Sequence, residues 1–324
     1  MVNALGARQR WAFLLAGASA VAATSLCGFS WLPVLLGTAA AMAVCLVLDG
    51  KLRPCGAALT LCHGGIFGRL LAAATLAFTV VALAWAANLA GEAFPTAGGS
   101  PVLGWTLLAL AAWGSFKGSA ACAAAAGVLC LMLLALYGLV AGFSLPEVSL
   151  PNLTPGGSWR DGAVAVGLML LPGAVFFLPS RRRRKGVFWR GAALAALGAA
   201  GLCAVTAGVL TPELAAAAPA PLYLLSQSLS LFGVMEHIEP LLSVAMTMGL
   251  FALMAILACA ARALGARRRF GRWWGAAACL AAAAVEAPAA LLPDWVIPAG
   301  AAVFFGLLPL SLLLTGQGRR AAPA

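Results

Sequence analysis

The sequence predicts an all-α integral membrane protein of about ten transmembrane helices, in one domain covering residues 1–324. Three observations carry this. Hydrophobic residues make up 63% of the chain and charged residues 9%, whereas a soluble domain carries about 25% charged residues to cover its water-facing surface. The apolar runs are long, rich in Ala and Leu, and do not alternate. They therefore read as helices rather than barrel strands, the two structures that satisfy their own backbone in lipid. The basic residues, finally, collect in every second gap between those runs.

A hydropathy window of about 19 residues sets the spans. Spans one to ten fall at 12–28, 32–48, 70–90, 102–115, 119–142, 162–179, 191–211, 238–263, 273–292 and 297–315. Span one follows Arg8 and Arg10 and resembles a signal peptide, but a second apolar run follows at once, which favours a retained helix. Span four is shorter than the roughly 20 residues an untilted crossing needs, and merging it with span five would give nine spans. The charges decide between the two counts. With ten spans and both termini cytoplasmic, nineteen of the twenty Lys and Arg residues fall on the inner side, and only Arg160 falls outside. That asymmetry is the positive-inside signal of a multi-pass cell-membrane protein. The outer gaps carry Glu92, Glu147, Asp161, Glu213 and Asp294.

The loop 143–161, rich in Pro and Gly, divides the chain into halves of five spans, 12–142 and 162–315. An odd number of spans per half makes the second half enter from the opposite side, the arithmetic of an inverted repeat. In such folds the first helix of each half is often interrupted at mid-membrane, where bared backbone groups hold a solute or ion. Span six carries Pro172-Gly173 at its centre, and span one has its weak point at Gly17 to Ser19 or around Thr24 to Gly28. Proline removes a helix donor and glycine tolerates an unwound turn. An ordinary proline kink is the plainer reading of the same residues. Span eight opens with His237-Ile238-Glu239-Pro240, and Glu239, Ser243 and Thr247 follow at a spacing of four on one helical face. Gly17, Ser19, Pro172, Gly173, Ser243 and Thr247 are thus candidates for contact with a solute. Glu239 and His237 are candidates for a coupling or polar network, although acids and proline at a helix start are also plain capping chemistry. Glu286 in span nine is open to both readings.

Other chemistries find little support. The run Arg181 to Lys185 lies between two apolar spans and reads as a membrane anchor rather than a nucleic-acid patch. Seven of the nine cysteines sit inside spans, and the spacing of Cys55, Cys62 and His63 matches no zinc pattern. No nucleotide-binding glycine loop, paired-His motif or nucleophile triad is present, so neither a cofactor nor an enzyme activity is expected.

Several stretches are similar to the spore-germination amino-acid permeases, the B-type subunits of germinant receptors within the amino acid–polyamine–organocation transporter superfamily. They are Phe94-Pro95-Thr96 through Ser100-Pro101, Trp113-Gly114-Ser115-Phe116-Lys117-Gly118, and Leu145-Pro146-Glu147 through Pro151-Asn152-Leu153-Thr154-Pro155. A fourth runs from Pro221-Leu222-Tyr223 through Phe232 to His237-Ile238-Glu239. Where that family has an acid and an arginine after the Lys-Gly pair, this chain has alanines such as Ala120 and Ala124. Where the family has arginine before the acid of span eight, this chain has His237. The resemblance implies a LeuT-like five-plus-five fold and an amino-acid-like ligand between spans one, three, six and eight. It also implies a spore inner membrane with partner receptor subunits. A proton- or cation-coupled amino-acid transporter and a metabolite exporter of two five-helix halves are the alternatives.

Overall fold

Non-alternating apolar runs leave a backbone in lipid one economical solution, and the computed structural model adopts it. It describes residues 4–51, 56–63, 65–92, 101–153, 156–179, 188–218, 220–228, 239–266 and 271–314, among which there are helices and no β-strand. In chain order they are α1 (Ala7–Val21), α2 (Trp31–Lys51), α3 (Gly56–His63), α4 (Gly65–Glu92), α5 (Pro101–Lys117), α6 (Ser119–Ser144), α7 (Trp159–Leu170) and α8 (Phe188–Leu210). Then come α9 (Pro212–Ala217), α10 (Pro221–Ser228), α11 (Glu239–Gly265), α12 (Trp274–Ala284), α13 (Glu286–Ala290), α14 (Val296–Ala301) and α15 (Leu308–Leu314). Seven segments are long and apolar enough to cross a bilayer: Trp31–Lys51, Gly65–Gly91, Ser119–Glu147, Trp159–Phe177, Trp189–Leu210, Glu239–Gly265 and Val296–Leu313. The chain is a multi-pass α-helical membrane protein.

Helix also occupies the other three expected segments, in shorter or interrupted form. Span one is α1 running into a π-helical turn at Ala22–Leu26, span four is the 17-residue α5, and span nine is broken at Val285 between α12 and α13. Spans four and five are separate helices. Gly118 joins them at φ 103, a left-handed conformation open to glycine and strained for other residues.

The two expected interruptions take forms the sequence did not specify. In span six, α7 begins on a capping box, with the Ser158 hydroxyl accepting from Arg160 N and the Asp161 carboxylate accepting from Ser158 N. At Pro172 it tightens into a 3-10 helix over Leu171–Phe177. The helix narrows there without unwinding. In span one the irregularity is at the second of the two proposed positions, and Gly17 and Ser19 lie within regular α-helix.

Helix α1 packs on the 3-10 turn, α6 and α11, while α2 packs on α7 and α8. The helices α4, α5, α11 and α12 pack on one another as a second group. Glycine eases the crossing of α1 with span six: a Cβ on Gly17 would lie 3.2 Å from Pro172 Cβ and 3.1 Å from Ile256 Cδ1. Association in lipid gains little from the hydrophobic effect and relies on such close backbone approach. The aromatic rings of Phe78 and Phe177 pack against Phe305, with centroids 5.5 Å and 5.8 Å away, and Phe304 stacks on Phe78 at 5.1 Å.

The two ends of the bundle differ in charge. At one end, the basic face, Arg10 Nη1 donates to Asp49 Oδ1 at 2.6 Å, joining the start of α1 to the end of α2 with both side chains under a tenth exposed. There too Leu5 N donates to Pro179 O at 2.9 Å, and Arg262 Nη1 donates to the terminal carbonyls of Ser115 and Phe116 on α5. That arginine supplies the cap that the end of α5 lacks in lipid. The opposite end, the acidic face, gathers Glu147, Asp161, Glu213 and Asp294.

Two outcomes are expected. Gly17→Leu will lower stability by about 1–3 kcal/mol through overpacking, while Gly198→Ala, with no atom within 4 Å of the added Cβ, will leave it nearly unchanged. Arg10→Met alone will cost about 3–5 kcal/mol by breaking a buried ion pair, and the double variant Arg10→Met/Asp49→Leu will recover part of that loss. Thermal unfolding in detergent measures both.

Candidate functional site

The π-helical turn of span one is built from side chains that take over backbone duties. A π turn bonds each N–H one carbonyl further back than an α-helix does, so acceptors near its start and end gain from other donors. Thr24 Oγ1 donates to Ala20 O at 2.8 Å, and Cys27 Sγ donates to Ala22 O at 3.3 Å. From α8, Cys203 Sγ donates to Leu26 O at 3.1 Å. The turn is thereby held open as a fixed feature, and beyond it the chain bends through Phe29 and Ser30 into α2.

Around this turn lies a cavity in two lobes, which share Thr24, Ser25 and Phe29 as their partition. The first lobe, of about 570 Å³, lies between the end of span one, residues 152 and 156–157, the start of α7 and α9; Trp31, Asn152, Asp161 and Glu213 line it. The second, of about 340 Å³, lies between span one, α4, α7 and the linker before α14; Trp85, Asn88, Leu168 and Asp294 line it. The long loop is fastened over the first lobe by Trp31 Nε1 to Leu153 O at 3.1 Å and by Asn152 Nδ2 to Gly208 O at 3.1 Å. Towards the basic face from the second lobe, the Phe78, Phe177, Phe304 and Phe305 rings fill the interior. Three carboxylates and no described Lys or Arg line the two lobes, which biases them against anions. Hydroxyl, amide and indole groups supply the remaining polar contacts.

The sequence candidates are distributed otherwise. Gly17 and Pro172 do meet, at the crossing of spans one and six, but together with Gly173 they are buried in packing and line neither lobe. Ser19 donates to Ala16 O at 2.9 Å and faces an apolar cleft of about 290 Å³ between α1, α6 and α8. Ser243 is buried on α11, and its carbonyl accepts from Thr247 Oγ1 at 2.7 Å. Neither it nor Thr247 lines a lobe. Glu239 begins α11 at the acidic face, and His237, like Cys55 and the run Arg181 to Lys185, lies outside the described residues.

The lobes draw instead on residues passed over in the sequence. Asn88 and Trp85, one helical turn apart on α4, are a polar and an aromatic side chain inside an otherwise apolar run, and that intrusion was the available signal. Trp31 at the start of α2, and Asn152 and Asp294 in connections, take positions above span one that only the fold provides. Thr24 was already marked, as the second proposed weak point of span one.

A membrane-impermeant maleimide applied from the acidic face will label Ser25→Cys and Asn88→Cys and spare Gly17→Cys and Ser243→Cys. The seven native cysteines whose side chains are described are buried, which keeps their background low. Comparison with known protein families and with curated proteins finds no match to this chain.

Proposed function

We propose that this chain binds a small amino-acid-like solute presented to its acidic face, in a five-plus-five inverted-repeat membrane fold. The observation that carries the reading is the two-lobed cavity at the irregular end of span one, reached from one face and backed by aromatic packing towards the other. In inverted-repeat transporters, solutes bind where helices are interrupted at the interface between repeats.

The helix contacts support the repeat. A two-fold relation between halves pairs each span with the one five places later, and spans one and six, two and seven, three and eight, and four and nine all pack together. Contacts between different spans also come in related couples: span two on six with seven on one, three on four with eight on nine, and one on five with six on ten. Under this reading α5, the broken span nine and the π-bearing span one complete ten crossings. The charge asymmetry then puts the basic face and both termini in the cytoplasm. Acceptance of a neutral or cationic amino compound suits the carboxylate and aromatic lining of the lobes.

The resemblance to germination permeases extends the reading to the ligand-binding membrane subunit of a nutrient-germinant receptor in the spore inner membrane, signalling to partner subunits. A second reading, a proton- or cation-coupled amino-acid transporter, is favoured by a cavity open at one face and closed at the other, the resting geometry of alternating access. An exporter of two five-helix halves has no observation of its own in its favour.

The purified protein, reconstituted in liposomes, will bind at least one member of a labelled amino-acid panel saturably, and Asn88→Leu or Ser25→Trp will reduce that binding tenfold or more. Absence of binding across the panel in a folded preparation overturns the proposal. Accumulation inside the vesicles, enhanced by an imposed proton gradient, selects the transporter over the receptor.

A further inference from the structure

At the basic face, four helix ends meet around cations that no acid answers. Helix α5 ends at Lys117, α6 starts at Ser119, and α11 carries Arg262 in its last turn. A 3-10 turn at Gly271–Trp273, which includes Arg272, leads into α12. The rings of Phe116 and Trp273 meet edge to face with centroids 4.9 Å apart, so Lys117 and Arg272 are chain neighbours of one aromatic pair. Arg262 reaches the same point, donating through Nη1 to Phe116 O at 3.3 Å.

Helices α5, α6 and α12 contain no Asp or Glu, and the acid of α11, Glu239, stands at the opposite end of that helix. The ion pair found among the described residues, Arg10–Asp49, joins α1 to α2 instead. The junction also has an opening. A Cβ on Gly118, the residue before α6, would meet no atom within 4 Å, and no side chain caps that helix start. The positive end of a 26-residue helix therefore adds to the field of the three cations. Position relative to lipid selects the anion. Lys117 Nζ lies 5.4 Å from the centre of the Trp113 ring, one turn deeper in α5, which folds the ammonium back along the helix. Trp113 and Trp273 are 62% and 52% exposed, and exposed indoles settle where hydrocarbon gives way to headgroups.

We propose that this junction binds the headgroup phosphate of an anionic phospholipid from the leaflet at the basic face. Lys117 and Arg272 are its charged contacts, the start of α6 faces the phosphate beside Gly118, and the lipid tails lie against Trp113 and Trp273. Arg262, held on the end of α5, supplies positive charge from behind. Charge complementarity of this kind draws anionic lipid to basic residues at a membrane surface. The site lies at the opposite face from the two lobes and owes nothing to the identity of a solute, so its test contains none.

Native mass spectrometry of the delipidated full chain, titrated with phosphatidylglycerol or phosphatidylcholine, counts bound lipid directly. The wild type will prefer phosphatidylglycerol by about tenfold, and Lys117→Gln/Arg272→Gln will reduce that preference to about twofold. The pair Arg8→Gln/Arg190→Gln removes the same charge from exposed positions on α1 and α8 and will keep the preference. Equal binding of the two lipids by the wild type, or equal loss in the two double variants, overturns the proposal. A phosphatidylglycerol with a photoreactive headgroup tests the wild type without any substitution. It will label residues within 113–119 or 271–274, and labelling confined to other segments overturns the proposal even if the variants do not fold.

Discussion

A carbonyl released inside a bilayer has no water to turn to, so a membrane helix opens where side chains stand ready to receive it. Span one meets this condition through the hydroxyl of Thr24 and the thiol of Cys27, which donate to Ala20 and Ala22, while the thiol of Cys203 adds a donor to the Leu26 carbonyl that also accepts from Phe29 N. Much else follows from that arrangement. The π turn bends the chain into α2, sets Thr24 and Ser25 between two lobes, and leaves room above α7 for the long loop to fold across. Cysteine suits the role because a thiol is small and apolar enough for a packed interior and still has a proton to give. Cys203 is notable in this respect, since it serves a carbonyl on a different helix.

Tight packing determines where the cavity is not. Gly17 lets α1 press on Pro172 and Ile256 at the level where the sequence placed the solute. The same closeness that joins spans one and six excludes a ligand from their crossing. On the other side, four phenylalanine rings occupy the interior towards the basic face. The open volume is left at the acidic end, in a protein whose net charge is +11 and whose cavity lining nevertheless carries Asp161, Glu213 and Asp294. The field in the cavity is thus local and opposite in sign to that of the chain as a whole.

Legibility in the sequence divides along physical lines. Membrane class and helical character followed from composition, because lipid restricts the backbone more severely than water does. The helix positions were also readable, down to the separation of spans four and five at Gly118, since apolar runs and glycine breaks are local properties. The form of each interruption was not. Pro172 was visible as a lost donor, but whether the backbone then unwinds or tightens into a 3-10 helix depends on what packs around it, here α1 and the segment carrying Phe305. The site was legible only in part for the same reason. Thr24 announced itself as a polar residue in an apolar run. The meeting of Asn88, Asp294 and Trp31 around it joins residues far apart in the chain, and no spacing rule connects them.

The π turn of span one has one further consequence, and it concerns register. A π turn accommodates a residue more than an α turn, so it is a stored insertion. Shedding it would rotate all that follows by about 100° and advance it by roughly 1.5 Å along the axis. Residues on the partition would then exchange their facing: a side chain now turned to one lobe would turn towards the other or into the wall. Span one therefore holds, at the point where both lobes meet, one residue more than an α-helix would, and the hydrogen bonds of Thr24, Cys27 and Cys203 keep it there.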